Sequence, residues 1–143
     1  MTNGFFTQVL QVGIVVDDLE AYMKKYEQGY GFADWKVKFY NEENTKVHQE
    51  EKQFSIKVGF TNLGNIQFEL IQPLDETSVY AEFLREHGPG LHHLAFATDN
   101  HDDTCKEMDR RGIPILQSGE SQRGTFTYLD LRRELGFIGE IYK

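Results

Sequence analysis

The sequence has a single cysteine and no long hydrophobic run. One cysteine, Cys105, excludes an internal disulfide bond and a zinc site built from cysteine thiolates. Every apolar segment is shorter than the roughly 18 residues that a transmembrane helix requires. The first residues also lack the basic region and the long apolar region of a secretory signal peptide. We therefore expect a cytoplasmic protein that has no membrane partner.

Basic residues are also scarce. The chain has 15 Lys and Arg residues against 23 Asp and Glu residues, which gives a formal net charge of −8. Proteins that bind nucleic acids carry basic patches that neutralise phosphates, so this charge argues against a nucleic-acid partner. A small-molecule substrate is compatible with it. The length of 143 residues is typical of one domain, or of two small halves that share a core.

Hydrophobic periodicity predicts a β-α-β-β-β unit in the first half of the chain. The β-branched run at 8–16 is typical of a strand, and Asp18 then supplies the N-cap of a helix. Apolar residues at helical spacing continue this helix until Gly31. Alternating or apolar runs predict further strands at 35–40, 54–60 and 66–72, with a mobile polar loop at 41–53.

The second half repeats this order after a connector helix at 74–90. A strand at 91–98 is followed by a helix that is capped at Asp99 or Asn100 and ends at Gly112. Strands are then predicted at 113–116, 125–129 and 137–142, with a polar loop at 117–124.

The spacing within the two halves is nearly equal. Gln11 lies twenty residues before Gly31, and His93 lies nineteen residues before Gly112. An internal repeat of this kind determines the architecture. We expect an α+β fold in which two paired βαβββ modules form a curled mixed sheet around a metal cleft. Module one covers about 7–73 and module two 91–143, within a single domain at 1–143.

Four polar residues occupy equivalent positions of the repeat and interrupt otherwise apolar strands. Gln11 and Glu69 lie in the first and last strands of module one, and His93 and Glu140 in those of module two. An unpaired polar side chain in a core costs free energy. Together, an amide oxygen, an imidazole and two carboxylates suit a hard or borderline divalent cation. The repeat therefore favours a metal site, although each residue alone is more typical of a structural or solvent-facing position.

Two adjacent histidines open the first strand of module two. Alternation along a strand sends His92 and His93 to opposite faces of the sheet. We expect His93 to face the cleft and His92 to pack behind the sheet.

Four motifs spread over nearly the whole chain occur together in one known superfamily. They are QVGIVVDDL at 11–19, FELIQPL at 68–74, FLREHGPGLHHLAF at 83–96 and GEI at 139–141. In these motifs the chain resembles the vicinal oxygen chelate superfamily of glyoxalases, bleomycin-resistance proteins and dioxygenases. The connector and the Gly-Leu-His-His run are most similar to the methylmalonyl-CoA epimerase branch.

The resemblance implies a divalent metal ion, which is zinc, nickel, cobalt or manganese, held by Gln11, Glu69, His93 and Glu140. Epimerases usually have histidine at the position of Gln11, whereas some glyoxalases have glutamine there. In the superfamily, the metal binds substrate oxygens and stabilises an enolate while a proton is moved. The implied function is an isomerase or epimerase that moves an α-proton next to a carbonyl of a small-molecule substrate such as an acyl-CoA. The resemblance also implies a homodimer.

This hypothesis leaves several candidates for the catalytic base. Glu140 is one candidate, since its carboxylate can also take part in proton transfer. The position of an epimerase base matches Lys57, and Glu50 or Glu51 in the predicted loop are alternatives. Two further functions stay open: a glyoxalase-type lyase similar to lactoylglutathione lyase, and a non-catalytic small-molecule binding protein of the bleomycin-resistance type.

Overall fold

The computed structural model describes residues 5–121 and 124–143 and confirms the α+β class, with eight strands and four short helices in these ranges. Two β-α-β-β-β successions follow one another, as the repeat predicts, except that a short extra helix precedes the last strand of the second. The first consists of β1 (Gln8–Val15), α1 (Leu19–Tyr30), β2 (Lys36–Val47), β3 (Glu50–Leu63) and β4 (Ile66–Pro73). The connector helix is α2 (Val79–His87). The second consists of β5 (Gly90–Ala97), α3 (His101–Arg110), β6 (Ile115–Ser121), β7 (Gly124–Leu131), α4 (Arg132–Leu135) and β8 (Phe137–Tyr142).

The helix caps are those that the sequence predicts. The side chain of Asp18 accepts a hydrogen bond from the backbone N–H of Ala21 at 3.1 Å, and Asn100 caps α3 in the same way. Gly31 ends α1 with a φ of 76°, in the left-handed region that favours glycine. Among the helices of the described ranges, none is long and apolar enough to cross a membrane.

The eight strands form a closed barrel in the order β1-β4-β3-β2-β6-β7-β8-β5. β1 joins the two modules, because it pairs in parallel with β4 and antiparallel with β5. The barrel closes where Asn44–Val47 of β2 pairs with Gln117–Glu120 of β6. Residues far apart in the sequence therefore face one shared interior.

Two predicted loops are wrong. The range 41–53 is a hairpin whose turn lies at His48 and Gln49, which have φ values of 50° and 68°. In this hairpin, inward-facing Thr45 and Val47 alternate with exposed polar residues, so the strand has too few apolar residues for its alternation to be recognised. Most of the range 117–124 is also strand, since β6 continues to Ser121. Residues 122 and 123 lie outside the described residues.

The barrel interior is apolar at one end and polar at the other. Tyr80 of α2 and Tyr128 of β7 are buried in the apolar end, where their hydroxyl oxygens lie 2.7 Å apart. Along β1, Val15 belongs to this core, whereas Gln11 lines a cavity at the opposite end. Two smaller apolar clusters pack α1 and α3 against the outer face of the sheet. The helix α2 therefore closes one end of the barrel, and the other end remains accessible.

Candidate functional site

Three of the four predicted metal ligands meet inside the barrel. His93 is fully buried, and its Nε2 lies 3.3 Å from Oε1 of Gln11 and 3.7 Å from Oε1 of Glu69. The strand register explains this contact, because Gly13 of β1 pairs with Glu69 on one side and with His93 on the other. An imidazole, an amide oxygen and a carboxylate therefore share one buried site.

Gly13 makes room for the imidazole. A Cβ atom added at Gly13 would lie 2.0 Å from Cε1 and 2.3 Å from Nε2 of His93. Cβ atoms in proteins essentially never approach another heavy atom within 3.0 Å. Any side chain at Gly13 would therefore displace the ring of His93. Gly13 interrupts the apolar run of β1 and so marks this site in the sequence. Its role could not be recognised from the sequence pattern alone.

Glu140 enters the same interior from β8. It is 2% exposed and pairs with Ala95 of β5 and Tyr128 of β7. The ring of His93 packs edge-on against Tyr128, with 4.9 Å between ring centroids. Burial raises the pKa of Tyr128 well above its usual value, and the charges of Glu140 and, to a smaller degree, Glu69 raise it further. The structure thus brings all four residues of the predicted set into one interior.

The other three candidate bases lie elsewhere. Lys57 projects from the outer face of β3, where its Nζ donates a hydrogen bond to Oε1 of Glu20 at 3.1 Å. The neighbouring residue Ile56 faces the core instead. Glu50 and Glu51 are exposed at the start of β3, next to the hairpin turn. The geometry gives no support to these three side chains as catalytic bases, because one is outside the barrel and two are at the turn.

His92 does not turn away from His93 as alternation predicts. The pairing of β1 with β5 passes from Gly13–His93 to Ile14–Leu91, so His92 is the extra residue of a β-bulge. Both histidines are buried, and their Nδ1 atoms lie 2.9 Å apart. The expectation that His92 packs behind the sheet is therefore wrong, because its ring contacts Tyr80 and Phe83 of α2 and Tyr128 of the barrel interior. The bulge brings the two imidazoles into contact.

A cavity of about 520 Å³ adjoins the cluster at the accessible end of the barrel. Gln11 and Tyr142 both line it, and the hydroxyl of Tyr142 lies 3.5 Å from Oε1 of Gln11. Lys36 and Lys38 of β2 also line this cavity, and both are exposed. Two cations therefore border the entrance to a site whose buried part contains two carboxylates.

Glu42 is a further buried carboxylate that the sequence analysis missed. It follows Lys36, Lys38 and Tyr40 at every second position of β2, so all four side chains point to the same face. Glu42 is 4% exposed and lines a second cavity of about 480 Å³, which shares Tyr40 with the first. The signal was this alternation, which the prediction of a loop from residue 41 hid.

Comparisons with known proteins identify the family of the chain. The sequence profile of the Glyoxalase/Bleomycin resistance protein/Dioxygenase superfamily matches residues 10–128, which is most of the chain. The chain belongs to this superfamily. Among curated superfamily relatives, an ethylmalonyl-CoA/methylmalonyl-CoA epimerase of Cereibacter sphaeroides is 29% identical over 114 residues, covering 79% of this chain and 77% of the relative.

Solved structures of the superfamily have the same fold. The methylmalonyl-CoA epimerase of Mycobacterium tuberculosis superposes with a TM-score of 0.69 at 21% identity, covering 99% of this chain and 91% of that one. A variant of the Streptomyces coelicolor methylmalonyl-CoA epimerase, in complex with 2-nitronate-propionyl-CoA, has a TM-score of 0.64 at 26% identity. That comparison covers 95% of this chain and 93% of the Streptomyces chain.

Members of this superfamily generally depend on a divalent metal ion. Within residues 5–121 and 124–143, no group of three or more His, Cys, Asp or Glu side chains is arranged tightly enough to hold one. The donor chemistry nevertheless fits a cation, since Gln11, Glu69, His93 and Glu140 supply oxygen and nitrogen donors and each is at least nine-tenths buried. Gly13 also fits such a site, because it leaves the space in which the imidazole of His93 lies.

Proposed function

We propose that this chain is a metal-dependent epimerase that moves an α-proton next to the thioester carbonyl of an acyl-CoA. The observation that carries the proposal is the buried donor set of Gln11, Glu69, His93 and Glu140, whose member Gln11 also lines an accessible cavity. The names of the Cereibacter and Streptomyces relatives support the substrate class. The epimerases and the lyases of this superfamily act on different substrates. Because the relatives named above are epimerases of acyl-CoA substrates, they favour an epimerase over a lyase.

Gln11, Glu69, His93 and Glu140 would hold a divalent cation, which would supply positive charge where negative charge develops as the α-proton leaves. The protein contributes the orientation of the ligands. His93 is fixed between Gly13 and Tyr128, and the amide of Gln11 is fixed by its Nε2, which donates a hydrogen bond to Oε1 of Gln67 at 2.7 Å. Ligands held in this way need little rearrangement during the reaction.

Epimerisation requires proton removal at one face of the α-carbon and proton delivery at the other. We assign these two tasks to Glu140, on the floor of the site, and to Glu42, on the wall formed by β2. Both carboxylates are buried, and the two strands stand on different sides of the interior. Glu42 takes the place that the sequence assigned to Lys57, whose side chain bonds Glu20 outside the barrel.

Lys36 and Lys38 provide the positive charge that an acidic substrate needs. The protein as a whole carries a net charge of −8, so an anionic acyl-CoA depends on a local cationic entrance. Both lysines line the cavity that reaches Gln11. We assign these two lysines to bind the carboxylate or the phosphates of the substrate.

The homodimer implied by the resemblance stays a prediction, which light scattering tests.

Deuterium exchange tests the proposal. The protein is loaded with a divalent metal and incubated with methylmalonyl-CoA in heavy water, and mass spectrometry measures the incorporation of one deuteron. We expect exchange of both enantiomers with the parent protein. For the enantiomer that each base serves, we expect a loss of at least about 100-fold in Glu140→Gln or Glu42→Gln, which is the usual contribution of a general acid or base. The matched control is Glu43→Gln, because Glu43 is the exposed neighbour of Glu42 in the sequence.

The outcomes separate the parts of the proposal. Exchange of both enantiomers that survives Glu42→Gln would exclude Glu42 and leave Glu140 as a single mobile base. Acyl-CoA binding without exchange, and with no stoichiometric metal in the parent or in His93→Ala, would replace the enzyme with a binding protein of the bleomycin-resistance type.

A further inference from the structure

The contact between His92 and His93 joins two buried imidazoles through the same ring atom. Their Nδ1 atoms lie 2.9 Å apart, and both side chains are at most 3% exposed. A neutral imidazole has one N–H donor and one bare nitrogen acceptor. At this distance, one Nδ1 therefore carries the hydrogen and the other accepts it, so the proton positions of the two rings are linked.

The surroundings of His92 hold its ring in place. Tyr80 and Phe83 of α2 lie 5.4 Å and 5.0 Å from it between ring centroids, and Tyr128 lies 5.8 Å away. Within the described residues, Nε2 of His92 has no hydrogen-bond partner. Of the two nitrogens, Nδ1 is thus the one that is engaged.

The other side of His93 faces the donor set. Nε2 of His93 lies near Oε1 of Gln11 and Oε1 of Glu69, the atoms assigned above to a cation. A nitrogen that carries a hydrogen has no lone pair to give to a metal, so Nε2 binds a cation only when the hydrogen of His93 is on Nδ1. In metal sites, the second N–H of a ligating histidine is generally held by an acceptor.

We infer that His92 is a positioning residue that accepts a hydrogen bond from Nδ1–H of His93 and so directs the Nε2 lone pair of His93 toward Gln11 and Glu69. The β-bulge at His92 is the device that brings this acceptor into reach, because regular alternation would have turned it away. The inference rests on the proposed function, since it concerns the metal-bound state. His92 itself keeps its hydrogen on Nε2 in that state.

Two substitutions separate positioning from packing. His92→Asn keeps an oxygen acceptor near the place of Nδ1 but loses the ring, whereas His92→Phe keeps the ring but has no acceptor. If His92 only fills space among Tyr80, Phe83 and Tyr128, His92→Phe is the more stable variant and the two bind metal alike. If His92 positions His93, His92→Asn binds zinc more tightly than His92→Phe, even though His92→Asn is the less stable variant.

The measurement is zinc affinity of the purified full chain by competition with a chelator, with thermal unfolding as the measure of folding. We expect His92→Phe to bind zinc about 10- to 100-fold more weakly than the parent, which is the usual effect of losing an outer-shell partner. His92→Asn is expected to stay within about threefold of the parent, although it unfolds at a lower temperature because it leaves a cavity. His87→Phe is a control, since His87 stacks on Phe83 without a contact to His93 among the described residues.

Nitrogen NMR of the histidine side chains gives a second readout. In the zinc-loaded parent, we expect the hydrogen of His93 on Nδ1 and that of His92 on Nε2. Equal zinc affinity in a folded His92→Phe variant, or a zinc-loaded parent with a hydrogen on Nδ1 of His92, would overturn the inference alone. A parent protein that binds no zinc, nickel, cobalt or manganese would overturn it together with the proposed metal site.

Discussion

Replacing Gly13 with alanine tests whether the candidate site depends on one missing methyl group. The added Cβ would overlap three atoms of the His93 ring, at 2.0 to 2.4 Å. Normal carbon contacts lie near 3.5–4.0 Å, so the ring must move by about 1.5 Å. It has little space to do so, because it is fully buried and lies against Tyr128 and His92.

The cost of Gly13→Ala follows from these contacts. Overpacking in a core costs about 1–3 kcal/mol, and the weakened bond between His93 and His92 costs about 1 kcal/mol more. The reduced freedom of the unfolded chain returns roughly 0.4–1 kcal/mol. We expect a net loss of about 2 kcal/mol in the free energy of unfolding, or a decrease in Tm of about 5–10 °C. Zinc affinity should decrease by at least about tenfold, because the imidazole leaves its place among the ligands.

A matched control and a double-mutant cycle complete the test. In Gly59→Ala the new Cβ would meet the Sδ atom of Met23 at 2.8 Å, and a flexible thioether moves easily. We expect that control to cost less than about 1 kcal/mol and to leave zinc affinity unchanged. In a His93→Ala background the clash is absent, so the two changes should show a coupling of about 1–3 kcal/mol in denaturant unfolding. Additive costs would refute the assignment of the Gly13 effect to the imidazole.

Three further predictions concern the rest of the barrel. Arg132 donates two hydrogen bonds of 2.8 Å to Asp130 and holds the pKa of that carboxyl below its usual value. Because the pKa of Asp130 is lowered in the folded state, its charge stabilises the fold fully above the unfolded pKa. Asp130→Asn should therefore lose under about 1 kcal/mol at neutral pH, and urea unfolding should show this difference shrinking as the pH falls below about 4 and through the lowered pKa. Lys57→Met should leave the deuterium-exchange rate within about twofold, and a loss of tenfold or more would return Lys57 to the site as a base. Tyr128→Phe should cost about 1 kcal/mol through the lost 2.7 Å contact with Tyr80, with little further loss in the double Phe variant.

The sequence predicts the parts of the fold that have clear apolar periodicity. The strand of Gln11, the helix capped by Asp18 and the strand of Glu140 all occur where their patterns place them. The nearly equal spacing of the two halves predicted that four polar residues meet, and all four are buried in one interior. A repeat transfers the position of one residue to its equivalent in the other module, whereas the role of these four as metal ligands stays a prediction.

The parts that failed depend on features that periodicity does not carry. The hairpin at His48 was hidden because its inward side chains include polar residues such as Glu42 and Thr45. Placing Glu42 in a loop removed the best-buried carboxylate of β2 from consideration. The contact between His92 and His93 depends on a β-bulge, which alternation cannot anticipate because one extra residue reverses the facing of its neighbour.

The part of β2 that borders the cavity entrance is also a sheet edge. Within the described residues, β2 pairs with β6 only from Asn44 to Val47, so from Lys36 to Glu43 it has β3 on one side alone. An open edge invites other chains to add a strand, and on this one Phe39 is 65% exposed. Lysine on an edge opposes such pairing. Lys36 and Lys38 therefore oppose strand addition at the same place where we propose that they attract substrate, so a variant made there to alter specificity is also expected to change the tendency to aggregate.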